Sequence, residues 1–352
     1  MNATPTLRER VEALLEARRA GRPPLEPRLL AQPAHLTCPA TVWKYVEGAV
    51  AARAPSLVML DLEDSIPRGD AEALRLGQEQ TVRALRDLDW GRKLRFFRPR
   101  GLALDPGFED VLAVVPAAGA ALEGLVYPKV EGPEEVALLD EALAEAEARA
   151  GLAEGHVKVE LLVESVLAEE RLDDIAAATG RLAGLIFGAF DYWGSMGLRR
   201  EAYRPDHPLV MDARVRIAKA AARAGVPAIA EMTLTYPTKN KPEAERRAAL
   251  EECRRDAELA RDCGFSGKWT GMPAQAEVVL EVFRLPQAEI DAAVAEVRAY
   301  AEAERAGRGA VMIGGRMADR ATDRINRALL ERAHALGQLP EAIARELLGP
   351  SR

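Results

Sequence analysis

Residues 157–191, VKVELLVESVLAEERLDDIAAATGRLAGLIFGAFD, decide how the chain folds. VKVELLV (157–163) and LAGLIFG (182–188) are short runs dominated by Val, Leu and Ile. That composition suits strands covered on both faces. Between them RLDDIAAATG has helical period and ends in glycine, as helix C-termini often do. A strand, a helical connection and a second strand of this kind make one unit of a parallel sheet. Each run is followed closely by an acid, Glu164 after the first and Asp191 after the second.

The same alternation extends in both directions. Upstream lie AHLTC (34–38), SLVMLDL (56–62), KLRFF (93–97) and GLVYP (124–128); downstream lie VPAIAE (226–231) and FSGKWT (265–270). Helical stretches such as DAEALRLGQEQTVRALRDL, MDARVRIAKAAARAG and ERRAALEECRRDAELARDCG separate them. Eight strand–helix units match a closed (β/α)8 barrel, the TIM barrel of the α/β class, and no Gly-x-Gly-x-x-Gly follows the first strand to support a dinucleotide-binding sheet. The expected organisation is a catalytic barrel over 1–285, opened by an amphipathic N-terminal helix (TLRERVEALLEARRA). A helical extension over 286–352 follows, with a Gly-rich loop at GRGAVMIGGRMADRAT and a neighbouring subunit as the surface to pack on. The Ala/Glu-rich stretch 134–150 reads as a barrel helix, with Val136, Leu138, Leu139 and Leu143 on its apolar stripe.

Composition narrows the function. Of 352 residues 48% are hydrophobic and 29% charged, and the net charge of −7 leaves no basic stripe for phosphates, so nucleic acid is excluded as a partner. Cys38, Cys253 and Cys263 show no Cys-x-x-Cys spacing and fit a reducing compartment. With no apolar run near the ~18 residues of a membrane span, a soluble cytoplasmic protein is expected, without membrane contact.

Chemistry in such a barrel sits at the C-terminal ends of the strands, where the following loops converge. That rule collects Asp61, Glu63 and Asp64 after strand two, Arg98 and Arg100 after strand three, and Lys129 after strand four. It adds Glu164, Asp191, Glu231 and Lys268 from strands five to eight. Glu164 and Asp191, at consecutive strand ends, are the natural pair to grip one ion from two sides. Hard oxygen ligands point to Mg2+, with Mn2+ as the substitute. His35, His156, His207 and His334 are scattered, which argues against zinc. Arg98, in FFRPR, is expected as an exposed guanidinium that holds a carboxylate by two hydrogen bonds, with Glu63 and Asp64 as orienting partners. The FGAFD turn offers backbone N–H groups at Gly188 and Ala189 for a carboxylate or enolate oxygen. Lys129 is expected in an ionic or positioning role rather than as a Schiff base.

These residues, in this order, resemble the citrate lyase beta-chain-like lyases, which include malyl-CoA and citramalyl-CoA lyases and are related to the metal-dependent pyruvate aldolases. The likeness runs over roughly 55 to 330. It rests on LDLEDSIP (60–67), FRPR (97–100), YPKVEGPEEV (127–136), LLVESVLAEERLDDI (161–175), LIFGAFDYWGSMGL (185–198), FSGKWTGMPAQAEVVLEVF (265–283) and GGRMADRAT (314–322). The resemblance implies a barrel that binds magnesium through Glu164 and Asp191, grips the small product's carboxylate and keto oxygens with Arg98, and carries its acidic pair at Glu63 and Asp64. It implies trimers or hexamers, and in some members an aspartate from an adjacent subunit acts as acid or base; Asp319 matches that motif.

The chain departs from the family in four places, of which the mildest is the fifth-strand Glu-Thr, here Glu164-Ser165. The arginine-bearing first strand ending in Pro-Gly reads PAHLTCPAT; His-Pro-Ala-Gln reads Met272-Pro273-Ala274-Gln275; and EMTLTYPTKNKPEAE (231–245) is long and polar, in the place of a lid or a specificity loop. The expected activity is magnesium-dependent carbon–carbon cleavage or condensation of a 2-hydroxy or 2-keto acid, carried as an acyl-CoA thioester, with Asp319, Glu63 or Asp64 moving the proton. Two other readings stay open: an aldolase on free 2-keto acids of the pyruvate type, favoured by the missing first-strand arginine, and a non-catalytic barrel that binds a small acid.

Overall fold

The computed structural model describes residues 10–12 and 25–349. Residues 10–12 are helical; the rest of the expected N-terminal helix lies outside the described residues. Eight parallel strands close into one barrel: β1 (Ala34–Pro39), β2 (Leu57–Asp61), β3 (Leu94–Arg98), β4 (Gly124–Tyr127), β5 (Lys158–Val163), β6 (Leu182–Phe187), β7 (Ala228–Ala230) and β8 (Gly267–Thr270), with β8 pairing back onto β1. All eight apolar runs are strands. No described helix is long and apolar enough to cross a membrane, and the three cysteines are free.

Alternation along each strand sorts side chains into two layers. Outward residues such as Leu36, Leu60, Phe97, Leu161 and Leu185 join the helices in the main core. Inward residues fill the barrel: Met59, Phe96, Val126, Leu162, Ile186, Ile229 and Trp269 make an apolar middle, and Leu29, from the short helix Pro27–Leu30, belongs to the same inner cluster. Above and below that middle the inward positions turn polar. In the helix Pro133–Ala150, Val136, Leu139 and Leu143 are buried as expected, whereas Leu138 is 48% exposed: it stands one position off the stripe that meets the sheet.

The C-terminal extension consists of the helix Gln287–Arg305, a two-stranded hairpin of β9 (Ala310–Ile313) and β10 (Arg316–Asp319), and the helices Arg320–Ala335 and Glu341–Leu348. The hairpin corrects the expected Gly-rich loop. Gly314 and Gly315, both at positive φ (54° and 80°), make the two-residue turn that matches strand twist, so glycines that read as loop punctuation in fact nucleate a hairpin. Ile290, Val294, Val297, Leu330, Leu339 and Leu347 form a small core of their own. Gln338 fastens this module to the barrel by bonding both the N–H (3.0 Å) and the carbonyl (2.7 Å) of Leu285. Ala335 and Leu336 lie beside Arg28, Pro33 and Leu94, at the N-terminal mouth, opposite the strand ends that carry the chemistry.

Candidate functional site

At the C-terminal mouth the inward positions of β2 and β3, and the one just past β5, carry Asp61, Arg98 and Glu164, and Glu231 follows β7. Together with Asp191, Asp64, Met232, Leu234 and Trp269 they line a cavity of about 330 Å3. Strand register makes the first contact. Asp61 and Arg98 are partners across β2 and β3, and Arg98 Nε donates to Asp61 Oδ1 at 2.6 Å. Nη1 lies 3.0 Å from Glu63 and Nη2 lies 3.5 Å from Asp64, and the guanidinium sits 5.3 Å above the centroid of the Trp269 ring.

The expected exposed guanidinium is therefore corrected: Arg98 is 3% exposed, held beneath three acids. Burial by itself would raise the Asp61 carboxyl and lower Arg98. Their mutual charge and hydrogen bond reverse both shifts, holding Asp61 below the carboxylate range and Arg98 above its ordinary value. Asp64 is the loose member of this group, with a side chain 59% exposed, and it faces the cavity. Glu63 does not line it. Buried, raised in pKa by its desolvation, and held by Arg98 and Lys129, Glu63 supports the site from behind.

Lys129 occupies a left-handed backbone conformation (φ 52°) that non-glycine residues adopt rarely, and usually where structure over-determines it. Three contacts do so here. Its N–H donates to Glu164 Oε2 at 3.0 Å, and its Nζ bonds Glu63 and lies 3.3 Å from Asp64. Burial would lower this ammonium, but Glu63 outweighs it and the net shift is upward. A lysine so paired is no Schiff-base nucleophile, and Lys129 is not among the cavity-lining residues.

Glu164 is 5% exposed and packs over Gly188, where a Cβ would overlap its Cγ and Oε1. Burial first, then the charge of Asp191, push the Glu164 carboxyl up to about 8. Asp191, in the first turn of the helix Ala189–Ser195, is exposed and has no hydrogen-bond donor or ion-pair partner among the described residues. The two carboxylates thus share one cavity and feel each other's charge. A buried acid with a single backbone donor, beside an unpartnered one, is a hard anionic donor pair that fits a divalent cation. The oxyanion role expected at Gly188 is corrected: its N–H is committed to the Val163 carbonyl (2.9 Å), and what it contributes is the absence of a side chain. Ala189 remains in the cavity lining.

Three more expectations resolve outside the lining of this cavity. Arg100 pairs with Asp110 (2.9 Å) on the following helix. Lys268 points outward from β8, wholly buried near Cys253 and Asp256. Its ammonium is lowered to about 8 by burial, and Nζ bonds the Glu231 carbonyl. Asp319 accepts hydrogen bonds from the N–H groups of Ala321 (2.9 Å) and Thr322 (3.0 Å), capping the helix that follows, and touches no rim residue of its own barrel. Conversely, Trp269, which lines the cavity, and Arg214, the buried partner that holds Glu231 beside it, were not singled out from sequence. The inward parity of β8 was the signal available for Trp269. Arg214, mid-helix in Pro208–Ala224, offered none.

The family model described as HpcH/HpaI aldolase/citrate lyase matches residues 44–273. The citrate lyase subunit beta of Haemophilus influenzae is 29% identical over 279 residues, covering 79% of this chain and 89% of that protein. The L-malyl-CoA/beta-methylmalyl-CoA lyase of Cereibacter sphaeroides is 31% identical over 285 residues, covering 77% and 85%. Among solved structures, the citrate lyase beta subunit of M. tuberculosis complexed with oxaloacetate and magnesium is 25% identical, with a TM-score of 0.55 over 74% of this chain and 100% of that one. Barrel, rim and sequence agree: this chain is a carbon–carbon lyase of the HpcH/HpaI aldolase/citrate lyase family.

Proposed function

We propose that the protein cleaves, or in reverse forms, a carbon–carbon bond in a 2-hydroxy or 2-keto acid carried as a CoA thioester, with magnesium held by Glu164 and Asp191. The observation that carries this reading is the placement of those two carboxylates in one cavity, above a guanidinium already oriented by Asp61 and Glu63. Relatives support it: one is named for malyl-CoA, and a structural neighbour holds oxaloacetate and magnesium. A bound cation would supply Lewis-acid stabilisation of the charge that develops on the acid's oxygens.

The protein's own groups do the rest. Asp61 and Glu63 fix Arg98, whose Nη2, only loosely approached by Asp64, is free to bind the substrate carboxylate. Asp64, exposed on the cavity wall, is the group in this chain placed to accept the hydroxyl proton; Glu63 is too tightly paired to do so. A second cavity of about 450 Å3 between the loops after β2 and β3 shares Asp64 with the first and has room for the thioester arm.

Asp319 enters from an adjacent subunit in this reading, within a trimer or hexamer whose contacts involve the extension 286–352. Met312, Met317 and Ile325, all close in sequence to Asp319, present exposed apolar side chains suited to such a contact (65%, 63% and 69% exposed). The test is cleavage by the purified full chain of hydroxyacyl-CoA thioesters against free 4-hydroxy-2-keto acids, with Mg2+ and after chelation. Metal-dependent thioester cleavage, abolished in Glu164→Ala, is expected. Turnover indifferent to both chelation and that substitution would overturn the assignment, and preference for the free keto acid would select the aldolase reading, which the arginine-free first strand favours.

A further inference from the structure

The segment after β7, residues 231–236, is two-sided. Its alternate residues bond backward into the scaffold: Glu231 pairs with the fully buried Arg214, Thr233 Oγ1 donates to Asp256 Oδ2 at 2.6 Å, and Thr235 Oγ1 donates to Glu252 Oε1 at 3.0 Å. Gln275, itself 0% exposed, clips the same segment to β8. Its Nε2 donates to the carbonyls of Thr233 (3.1 Å) and Thr235 (3.3 Å), while its Oε1 accepts from Gly271 N–H at 3.1 Å. Tyr236 packs where a Cβ on Gly271 would be, and its hydroxyl lies 3.4 Å from Met232 Sδ. So many anchors make a wall rather than a lid. The other parity, Met232 and Leu234, faces the cavity that Glu164 and Asp191 also line.

Charge on the cavity surface is lopsided. Arg98 is the one cation among its lining residues, against Asp61, Asp64, Glu164, Asp191 and Glu231. One carboxylate of a bound acid can be met by Arg98 and a divalent ion. A second, projecting toward Met232 and Leu234, would meet two apolar side chains and no donor, and its desolvation would go uncompensated.

We propose that Met232 and Leu234 are specificity-determining residues that select monocarboxylic 2-keto acids, with hydrogen or a short alkyl group beyond the keto carbon, over dicarboxylic ones, and that Gln275 is the positioning residue of this wall. The proposal rests on the reading of the cavity as a magnesium-assisted acid site. It is tested by calorimetric titration of the full-length protein, in Mg2+, with pyruvate, 2-oxobutyrate and oxaloacetate. Pyruvate and 2-oxobutyrate bind at least about tenfold more tightly than oxaloacetate. Leu234→Lys, at a 41% exposed position that tolerates charge, reverses the order by supplying the missing cation. Gln275→Ala narrows the ratio between the acids while the Mg2+ affinity measured alone stays that of the parent, a pattern that general loosening of the barrel would not produce. Oxaloacetate bound as tightly as pyruvate by the parent, or an order unchanged in Leu234→Lys, overturns the wall's role. Absence of Mg2+-dependent binding for all three acids would instead overturn the reading of the site beneath it.

Discussion

Glu160 on β5 and Glu164 just past its end both have carboxyls pushed to about 8 chiefly by burial, yet they belong to opposite ends of the barrel. Four residues apart on the same face, they are separated by about 13 Å of strand and by the apolar layer of Met59, Phe96, Leu162 and Trp269. At the lower end Glu160 meets only neutral company. His35 Nδ1 lies 3.5 Å away, with its ring held neutral and lowered to about 3 by burial, and Gln32 is a further neighbour. At the upper end Glu164 has Asp191, Lys129 and Arg98 around it and an open cavity in front. A raised carboxyl alone therefore marks burial; a raised carboxyl beside opposing charges and reachable space marks chemistry.

The sharpest way to break this contrast is to neutralise each acid. Glu164→Gln is expected to lower turnover by about a thousandfold or more, since it removes half of the donor pair, with no loss of melting temperature. Glu160→Gln should leave turnover within about twofold of the parent. Steady-state rates beside thermal melts decide, and equal activity losses would dissolve the distinction between the two ends. Next in size is Arg98→Lys. An ammonium cannot replace the fork that joins Asp61, Glu63 and a substrate carboxylate, so kcat/KM should fall about a hundredfold and stability by about 2–4 kcal/mol as buried acids lose their partner, which denaturant titration would reveal.

A finer version uses two glycines on and just after β6. Gly188→Ala places a methyl into Glu164, and Gly184→Ala places one 3.1 Å from Glu160 Oε1. The first should cost at least tenfold in activity; the second should cost stability alone, about 1–2 kcal/mol. The smallest effect is on the pH profile of unfolding. Glu160 in the folded protein keeps its proton up to about 8, whereas unfolded it releases it near 4.5, so folding binds a proton in that window and stability declines as pH rises through it. Glu164 adds a slope of the same sign. Glu160→Gln should flatten the decline between about pH 4.5 and 8, and an unchanged slope would show that the lower carboxyl is already ionised there.

Much of this was legible in the chain itself. Eight apolar runs became eight strands, and the acids that terminate the fifth and sixth reached one cavity, because a strand's end is a place in a barrel as well as a place in a sequence. The misreadings have physical causes. Lys268 was assigned to the rim, but one step of parity turns it outward against Asp256. The glycines 314 and 315 read as a loop because a hairpin turn and a loop share composition. Gly188 was read for its N–H, which the β5–β6 ladder had already taken.

What the sequence determined by itself was the kind and order of the elements and which residue types stand at their ends, since hydrophobic period and turn chemistry are local properties. Only the tertiary structure decided which of those residues meet. That Asp61 rather than Glu63 is the close partner of Arg98 follows from the register of β2 on β3. That Gln275 clamps a segment forty residues upstream, and that Arg214 underpins Glu231, follows from closure of the barrel, which brings β7, β8 and their helices together. Desolvation and pairing energies depend on such neighbours in space, and no local pattern encodes them.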